Sequence, residues 1–548
     1  MKNKKLIASV AALAVAATAA LSGCGTGANE TAGNYSKVNF PVSEDVTLKV
    51  WAVNTHMVVK NMKDMGCYQE ITKNTGVKFD FVSPVAGQTT EQFNIMIASG
   101  EYPDIIEQFQ NRYKGGFVKA WNDNVILELS DLVKKCAPNL SAIYKKYPQL
   151  EHAASNAEGQ MFAVPMMRGG SILRTYTGPA VRADYLKKFN LTAPETIDDW
   201  HNMLTTFKNN GIEYPFTATK GYFNFPVFAG AFGVNKSFFN DNGSVKFGPI
   251  EDGYKEYVKT MAQWYKEGLI DSEILTNDQK IADSKIMNGG AGALIGTTGN
   301  SIGGYLQEMQ SKNPDFDLQP VKYPVLNSGE QNRFVQRDDI VQTVNGSVIT
   351  TACEHPDIAM AVLDYGFSKE GHMALNFGVE GESYTMEDGY PKYTDLIMHN
   401  PDGLNVSKAG SLYARSFTYM TGVQDSKYGE QFYGNPRQQE STKVWASSVD
   451  AINANNPTVY ATLTPERTDE ISSSLNEINT YVSEKFAKWM MGTEDIDAGF
   501  DEYVDQIKKM GIEKILGYYQ EAQNKYFEKY PDMKHQTDIE VSDIFWQE

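Results

Sequence analysis

The chain is short of the residues that most often carry chemistry. Its 548 residues include four cysteines and seven histidines. No HExxH, GxSxG, phosphate-loop or dinucleotide fingerprint occurs, and no CxxC pair has the spacing of a zinc or redox site. Metal, nucleophilic and nucleotide-dependent catalysis are therefore without a sequence marker, and neither a metal nor a cofactor is expected. Basic charge is also scarce, with 50 Lys and Arg against 68 Asp and Glu, a formal net charge of −18. Phosphate backbones attract basic fields, so a nucleic-acid partner is not expected. Beyond Cys24, an odd set of Cys67, Cys136 and Cys353 remains. A disulfide between two of them is possible but not required, and free thiols are the default expectation. There is no tandem repeat and no coiled-coil heptad, and no partner stripe stands out. A monomer is expected.

Apolar residues concentrate at the N-terminus. Lys2, Lys4 and Lys5 precede an almost wholly small or apolar run over residues 6–20, which ends in Leu21-Ser22-Gly23-Cys24. A charged head, an apolar core and small residues make an export signal over residues 1–23. The run is short for a membrane-spanning helix. The cysteine after Leu-Ser-Gly resembles the lipobox of bacterial lipoproteins. That resemblance implies cleavage before Cys24 and a lipid on its sulfur, which fixes the protein to the extracellular face of the cell membrane. Residues 24–44, rich in Gly, Asn, Ser and Thr, read as a flexible tether.

Beyond the tether, strand and helix patterns alternate. Residues 46–53 and 77–82 read as strands, 60–75 and 90–99 as helices, and 103–106 as a short buried strand, which argues an α/β domain with a mostly parallel sheet. Thr196 with Asp199 forms a capping-box signature ahead of the apolar stripe Trp200, Met203, Leu204 and Phe207. Residues 355–377 read as two helices broken near Gly371. Residues 500–510 and 512–530 read as helices separated by Gly511. The exported part, about 520 residues, is long enough for two sizeable cores. Aromatic residues make up 12%, with 30 Tyr, 27 Phe and 7 Trp, enough to fill cores and also to line a sugar-stacking groove.

Several segments together resemble the lipoprotein solute-binding components of bacterial ABC importers, in particular the long carbohydrate-type branch of Gram-positive bacteria. They include residues 93–106, the run Glu158-Gly159-Gln160-Met161-Phe162-Ala163-Val164-Pro165, residues 181–189 with 194–200, and residues 264–278. Residues 355–385, containing Phe377-Gly378-Val379-Glu380-Gly381, and residues 500–530 complete the set. The resemblance implies a two-lobed α/β fold of the periplasmic-binding-protein type II class, with a solute held in the cleft between the lobes. It places residues 45–168 with 345–400 in one lobe and 174–340 with 405–540 in the other. It also implies a carbohydrate ligand, an oligosaccharide by preference, delivered unchanged to a membrane permease. In one respect the chain departs from the pattern. Relatives often insert a calcium-type Asp-Pro-Asn-Gly loop where this chain reads Asn209-Asn210-Gly211-Ile212-Glu213-Tyr214-Pro215, and too few carboxylates remain there for an oxygen cage.

Cleft contacts are expected from loops at strand ends and from chain crossings. Trp51 and Asn54 end the first strand, and Gln108 and Phe109 follow a later one. Arg168 and Tyr176 flank the first crossing, and Arg337 and Asp338 lie near the second. Phe223 and Phe228 represent an aromatic, glycine-rich stretch. Tyr413, Arg415 and Trp445 stand in aperiodic sequence. Rings cover apolar sugar faces, while amides, carboxylates and guanidinium groups pair with hydroxyls. Two other readings stay open. In one, the same fold binds a peptide or other nonsugar solute through its arginines. In the other, the chain is a surface glycoside hydrolase, which needs two carboxylates across a scissile bond that no motif marks.

Overall fold

The computed structural model describes residues 35–547, apart from residues 57, 455, 536 and 537. Residues 1–34, with the signal and Cys24, lie outside the described residues.

Two sheets organise the fold. The first has the order Gly422–Gln424, Val164–Arg168, Val341–Ile349, Ile105–Glu107, Thr47–Trp51, Lys78–Val82. Thr47–Trp51 runs parallel to both its neighbours, with Val50 opposite Ile105 and Phe81. Val341–Ile349 is antiparallel to the strands on either side. The second sheet has the order Leu318–Pro320, Thr177–Arg182, Ala291–Thr297, Tyr214–Thr217, of which the last two run parallel. Each sheet has its own core. Val50, Ile71, Leu132, Val164 and Ile349 belong to the first, and Trp200, Phe216, Tyr257, Trp264 and Trp489 to the second.

Local chemistry sets the element boundaries. Thr196 accepts from the Asp199 amide while the Asp199 carboxylate accepts from the Thr196 amide, so helix Ile197–Asn209 begins with the expected capping box. Its predicted stripe of Trp200, Met203, Leu204 and Phe207 is buried. Gly511, at φ 98°, separates helices Ile496–Lys509 and Ile512–Lys529. The break expected at Gly371 falls earlier. Helix Pro356–Tyr365 stops, and Ser368 caps Lys369–Phe377 by accepting from the Gly371 amide. Gly371 instead allows a close approach, since a Cβ there would lie 1.8 Å from the Tyr365 carbonyl oxygen.

The chain crosses between the lobes four times. It leaves the first sheet at Arg168 and joins the second at Thr177, then returns between Pro320 and Val341. It departs again after Gln424 towards helix Pro436–Trp445, which packs on the second sheet. It comes back after helix Ile512–Lys529 to place Val541 and Phe545 in the first core. Two expectations are corrected here. The stretch 405–540 does not lie wholly in the second lobe, because Gly422–Gln424 pairs in parallel with Met166–Arg168 in the first sheet. Nor are residues 35–44 a free tether. Tyr35, Val38, Phe40 and Val42 pack on the first core, and the Val42 amide donates to Thr75 O at 2.9 Å. Their polar neighbours hid this alternating apolar edge. Cys67, Cys136 and Cys353 are free thiols.

Candidate interlobe binding cleft

The crossings form the floor of a cleft of about 1100 Å³. A bulge builds one wall. The pairing of Val341–Ile349 with Val164–Arg168 shifts register between Gln342 and Ser347, which turns Thr343, Val344 and Asn345 into the cleft. Gly346 makes this possible, since a Cβ there would stand 2.3 Å from Val164 O. The bulge amides and hydroxyl form a polar ladder. Asn345 donates to Gln342 Oε1 at 2.6 Å, and Thr343 donates to Gln110 Oε1 at 3.3 Å.

The floor is charged and internally paired. Arg168 Nε and Nη2 reach Asp338 Oδ2 at 3.2 and 2.9 Å, and Nη1 donates to Gln424 Oε1 at 2.6 Å. Its guanidinium lies 5.1 Å from the centre of the Tyr176 ring. Burial pushes the Arg168 pKa down, but Asp338, Tyr176 and Tyr433 together push it up further, and the net direction is upward. Gln336 donates to the other Asp338 oxygen at 3.0 Å and accepts from the Tyr176 and Thr177 amides. Arg337 also lines the cleft, but its guanidinium turns to Asp538.

Aromatic rings supply the remaining surface. Phe417, Tyr419, Tyr428, Phe432 and Tyr433 face the cleft from one stretch of chain, with Tyr428 and Phe432 stacked at 5.5 Å. Tyr460 and Tyr526, also in the lining, stack almost parallel at 4.9 Å. Burial lifts the Tyr433 hydroxyl to about 12, with Arg168 pulling it down and Asp338 pushing it up, so it remains a donor at neutral pH. Burial lowers the pKa of His56, which also lines the cleft, with its Nε2 3.0 Å from Ser407 Oγ.

Of the side chains singled out from the sequence, the structure gathers Arg168, Tyr176, Arg337 and Asp338 at the cleft. Five of the aromatic residues expected there do not line it. Trp51 and Phe109 are in a core of the first lobe, and Phe223, Phe228 and Trp445 are in the second core. Trp445 donates its indole N–H to Pro179 O at 3.0 Å. Arg415 is buried in an ion pair with Glu107 at 2.6 Å. Tyr413 is wedged against Gly66 and Gly378. Asn54 donates to Val59 O, although its neighbours Thr55 and His56 do line the cleft. Gln108, in left-handed backbone at φ 55°, sits behind Asn345 at 3.5 Å. The calcium-type position is a tight turn, with the Gly211 amide on Lys208 O and Ile212 on Phe207 O. Among the described residues no cluster of three or more His, Cys, Asp or Glu side chains is arranged to hold a metal.

The sequence profile of the bacterial extracellular solute-binding proteins matches residues 57–373, more than half of the chain. The chain belongs to this family. Its two sheets and interlobe cleft are the type II solute-binding-protein fold. Among curated relatives, this solute-binding protein is 25% identical to the fructooligosaccharide ABC transporter substrate-binding protein FusA of Streptococcus pneumoniae serotype 4 (strain ATCC BAA-334 / TIGR4). That match covers 97% of this chain and 99% of FusA. It is 22% identical to Lipoprotein LipO of Bacillus subtilis (strain 168), over 81% of this chain and 86% of that one. Among solved structures it is similar to the alginate-binding protein AlgQ2 without calcium ion, at a TM-score of 0.73 and 26% identity, covering 89% of this chain and all of that one.

Asp339, also in the lining, allows a pH test. Burial pushes its carboxyl from 3.8 up to about 6; Arg174 pulls down, Asp338 pushes up and Arg337 pulls down. A carboxyl raised by folding stabilises fully below its unfolded pKa, and that contribution is lost as pH rises through the folded one. Asp339→Asn should therefore gain stability relative to the native chain between pH 4 and pH 7. Melting curves at both pH values check this, and a constant difference would remove the assigned burial cost.

Proposed function

We propose that the protein is the extracellular substrate-binding component of an ABC importer, and that it captures an oligosaccharide between its lobes and passes it on unchanged. The observation that carries this is the makeup of the cleft. Tyrosines and phenylalanines from two stretches of chain line it together with a ladder of amide and hydroxyl side chains, in a volume just above the usual range for single small molecules, about 300–1,000 Å³. Rings match the apolar faces of sugars, and the Gln110, Gln342, Thr343 and Asn345 ladder matches their hydroxyls. The similarity to FusA over nearly the whole chain supports the reading. A lipid on Cys24 holds the protein, as a monomer, beside a membrane permease. The mass of the processed N-terminus tests that anchor.

Binding to the native state alone raises apparent stability, by about 2.7 kcal/mol at a hundredfold excess over Kd. A thermal-shift screen of oligosaccharides and of short peptides on the purified protein is expected to give upward shifts with oligosaccharides. Shifts confined to peptides would overturn the ligand class. Recovery of a shifted glycan with a broken glycosidic bond would overturn unchanged delivery.

A further inference from the structure

The cleft leaves one large ring uncovered. Among the described residues, Tyr419 is the only large apolar side chain that both lines the cleft and stays exposed, at 38%. The other cleft rings are packed. Phe417, Tyr428, Phe432 and Tyr433 each stand within 5.7 Å of another ring in that group, and Tyr460 lies on Tyr526. Phe432 also closes on Gly299, where a Cβ would lie 2.8 Å from its ring. Tyr176 lies against the Arg168 guanidinium. Tyr419 belongs to no such ring pair among the described residues.

This exposure is built in, because Tyr419 sits on a turn fixed on both sides. Before it, the Thr418 amide and hydroxyl both donate to Arg415 O, at 2.9 and 3.1 Å, and Arg415 is held by Glu107 at 2.6 Å. After it, Met420 is buried in the first core, and the Thr421 and Ser347 hydroxyls meet at 2.6 Å. Phe417 and Met420 take the inward places and leave the Tyr419 ring outside. Ser347 also ends the bulge that turns Thr343 and Asn345 into the cleft, so the ring and the polar ladder share one lobe. Tyr222 approaches from the second lobe. Burial raises its pKa, Thr297 pulls it down, and Asp283 and Tyr419 push it up, so Tyr419 lies close to that lobe as well. An apolar ring left in water costs free energy, and one held rigidly offers a ligand contact area at little entropic cost.

Resting on the oligosaccharide reading, we propose that Tyr419 is the ring on which a sugar unit of the ligand stacks, and that it sets the affinity for sugar rings with an apolar face. The other cleft rings pack on one another and hold the shape of the walls. The Thr343 and Asn345 side chains supply partners for the hydroxyls.

Calorimetry on the purified full chain with kestose, maltotriose, mannotriose and their longer homologues selects the glycan that binds best. With that glycan, Tyr419→Ala should lose about 30-fold in affinity, the size of a hot-spot truncation. Tyr419→Phe and Tyr419→Trp should stay within about fivefold of the native chain, because the ring face and not the hydroxyl makes the contact. Tyr419→Leu, apolar but without a ring face, should lose about tenfold. The ligand-free melting temperature should be unchanged in all four variants, because the side chain is exposed. A Tyr419→Ala loss smaller than about threefold, for a glycan that the native chain binds, would overturn this inference and leave the oligosaccharide reading standing. A leucine variant as good as the phenylalanine variant would overturn stacking, and ligand-free melting temperatures that fall in step with affinity would make Tyr419 a packing residue. Binding of peptides and of no glycan by the native chain would overturn the oligosaccharide reading and this inference with it.

Discussion

Replacing Arg415 by alanine is expected to destabilise the protein by about 3–5 kcal/mol, as for other buried pairs that lose one partner. Arg415 Nη2 meets Glu107 Oε2 at 2.6 Å, and the Arg415 side chain is 2% exposed. Burial pushes the Arg415 pKa down, but Glu107, Tyr68 and Cys67 together push it up further, and the net direction is upward. Glu107 ends a central strand of the first sheet, opposite Ser347. Arg415 belongs to the loop leading to Gly422–Gln424, and its amide donates to Leu375 O at 2.8 Å. The pair therefore pins that loop against the sheet. Alanine leaves the Glu107 carboxylate in a dry site with its partner gone. Denaturant titration should show the loss. The double change Glu107→Leu with Arg415→Met should recover much of it, because a buried pair replaced by apolar groups often costs little. Ligand affinity of the folded Arg415→Ala protein should stay within severalfold of the native value. A full-strength fold with abolished binding would instead return Arg415 to the cleft.

Arg415 shows what the sequence could and could not reveal. An arginine in aperiodic sequence fits a ligand clamp and a buried strut equally well, and the choice depends on whether a distant carboxylate is aimed at it. The rings failed for a related reason. Phe228 looked like a platform, yet it packs edge-on to Trp200 at 5.2 Å and to Trp264 at 5.4 Å. Composition counts rings without saying which sheet covers them. Tyr428 and Phe432, which do face the cleft, have the i, i+4 spacing of an ordinary buried helical face. Only their place, just after the third crossing leaves the first sheet, could have marked them. The residues that do line the cleft, Arg168, Tyr176, Arg337 and Asp338, were read from chain crossings. Topology therefore predicted the cleft better than residue type did. Local signals such as the Thr196 capping box held because both partners are three residues apart.

The second large effect is expected at Arg168. Three of the chain's passages between lobes meet at this side chain. It ends strand Val164–Arg168, binds Asp338 in the returning segment, and donates to Gln424 where the third passage begins. Its amide also donates to Ile340 O at 2.8 Å. Arg168→Ala frees these segments and leaves Asp338 without its guanidinium at the floor of the cleft. Removing one partner of a buried ion pair costs about 3–5 kcal/mol, and here the stranded charge lies in the floor on which the ligand rests. Oligosaccharide affinity should accordingly fall by about 30-fold or more, with faster release in stopped-flow measurements. Asp338→Ala alone should also weaken binding. The double variant should be better than the sum of the two, with a coupling of about 1.5–3 kcal/mol, because removing the second partner removes the stranded charge. Strictly additive losses would mean that the two side chains act separately on the ligand. In that case Arg168 would be a direct ligand contact, and the crossings would close without it.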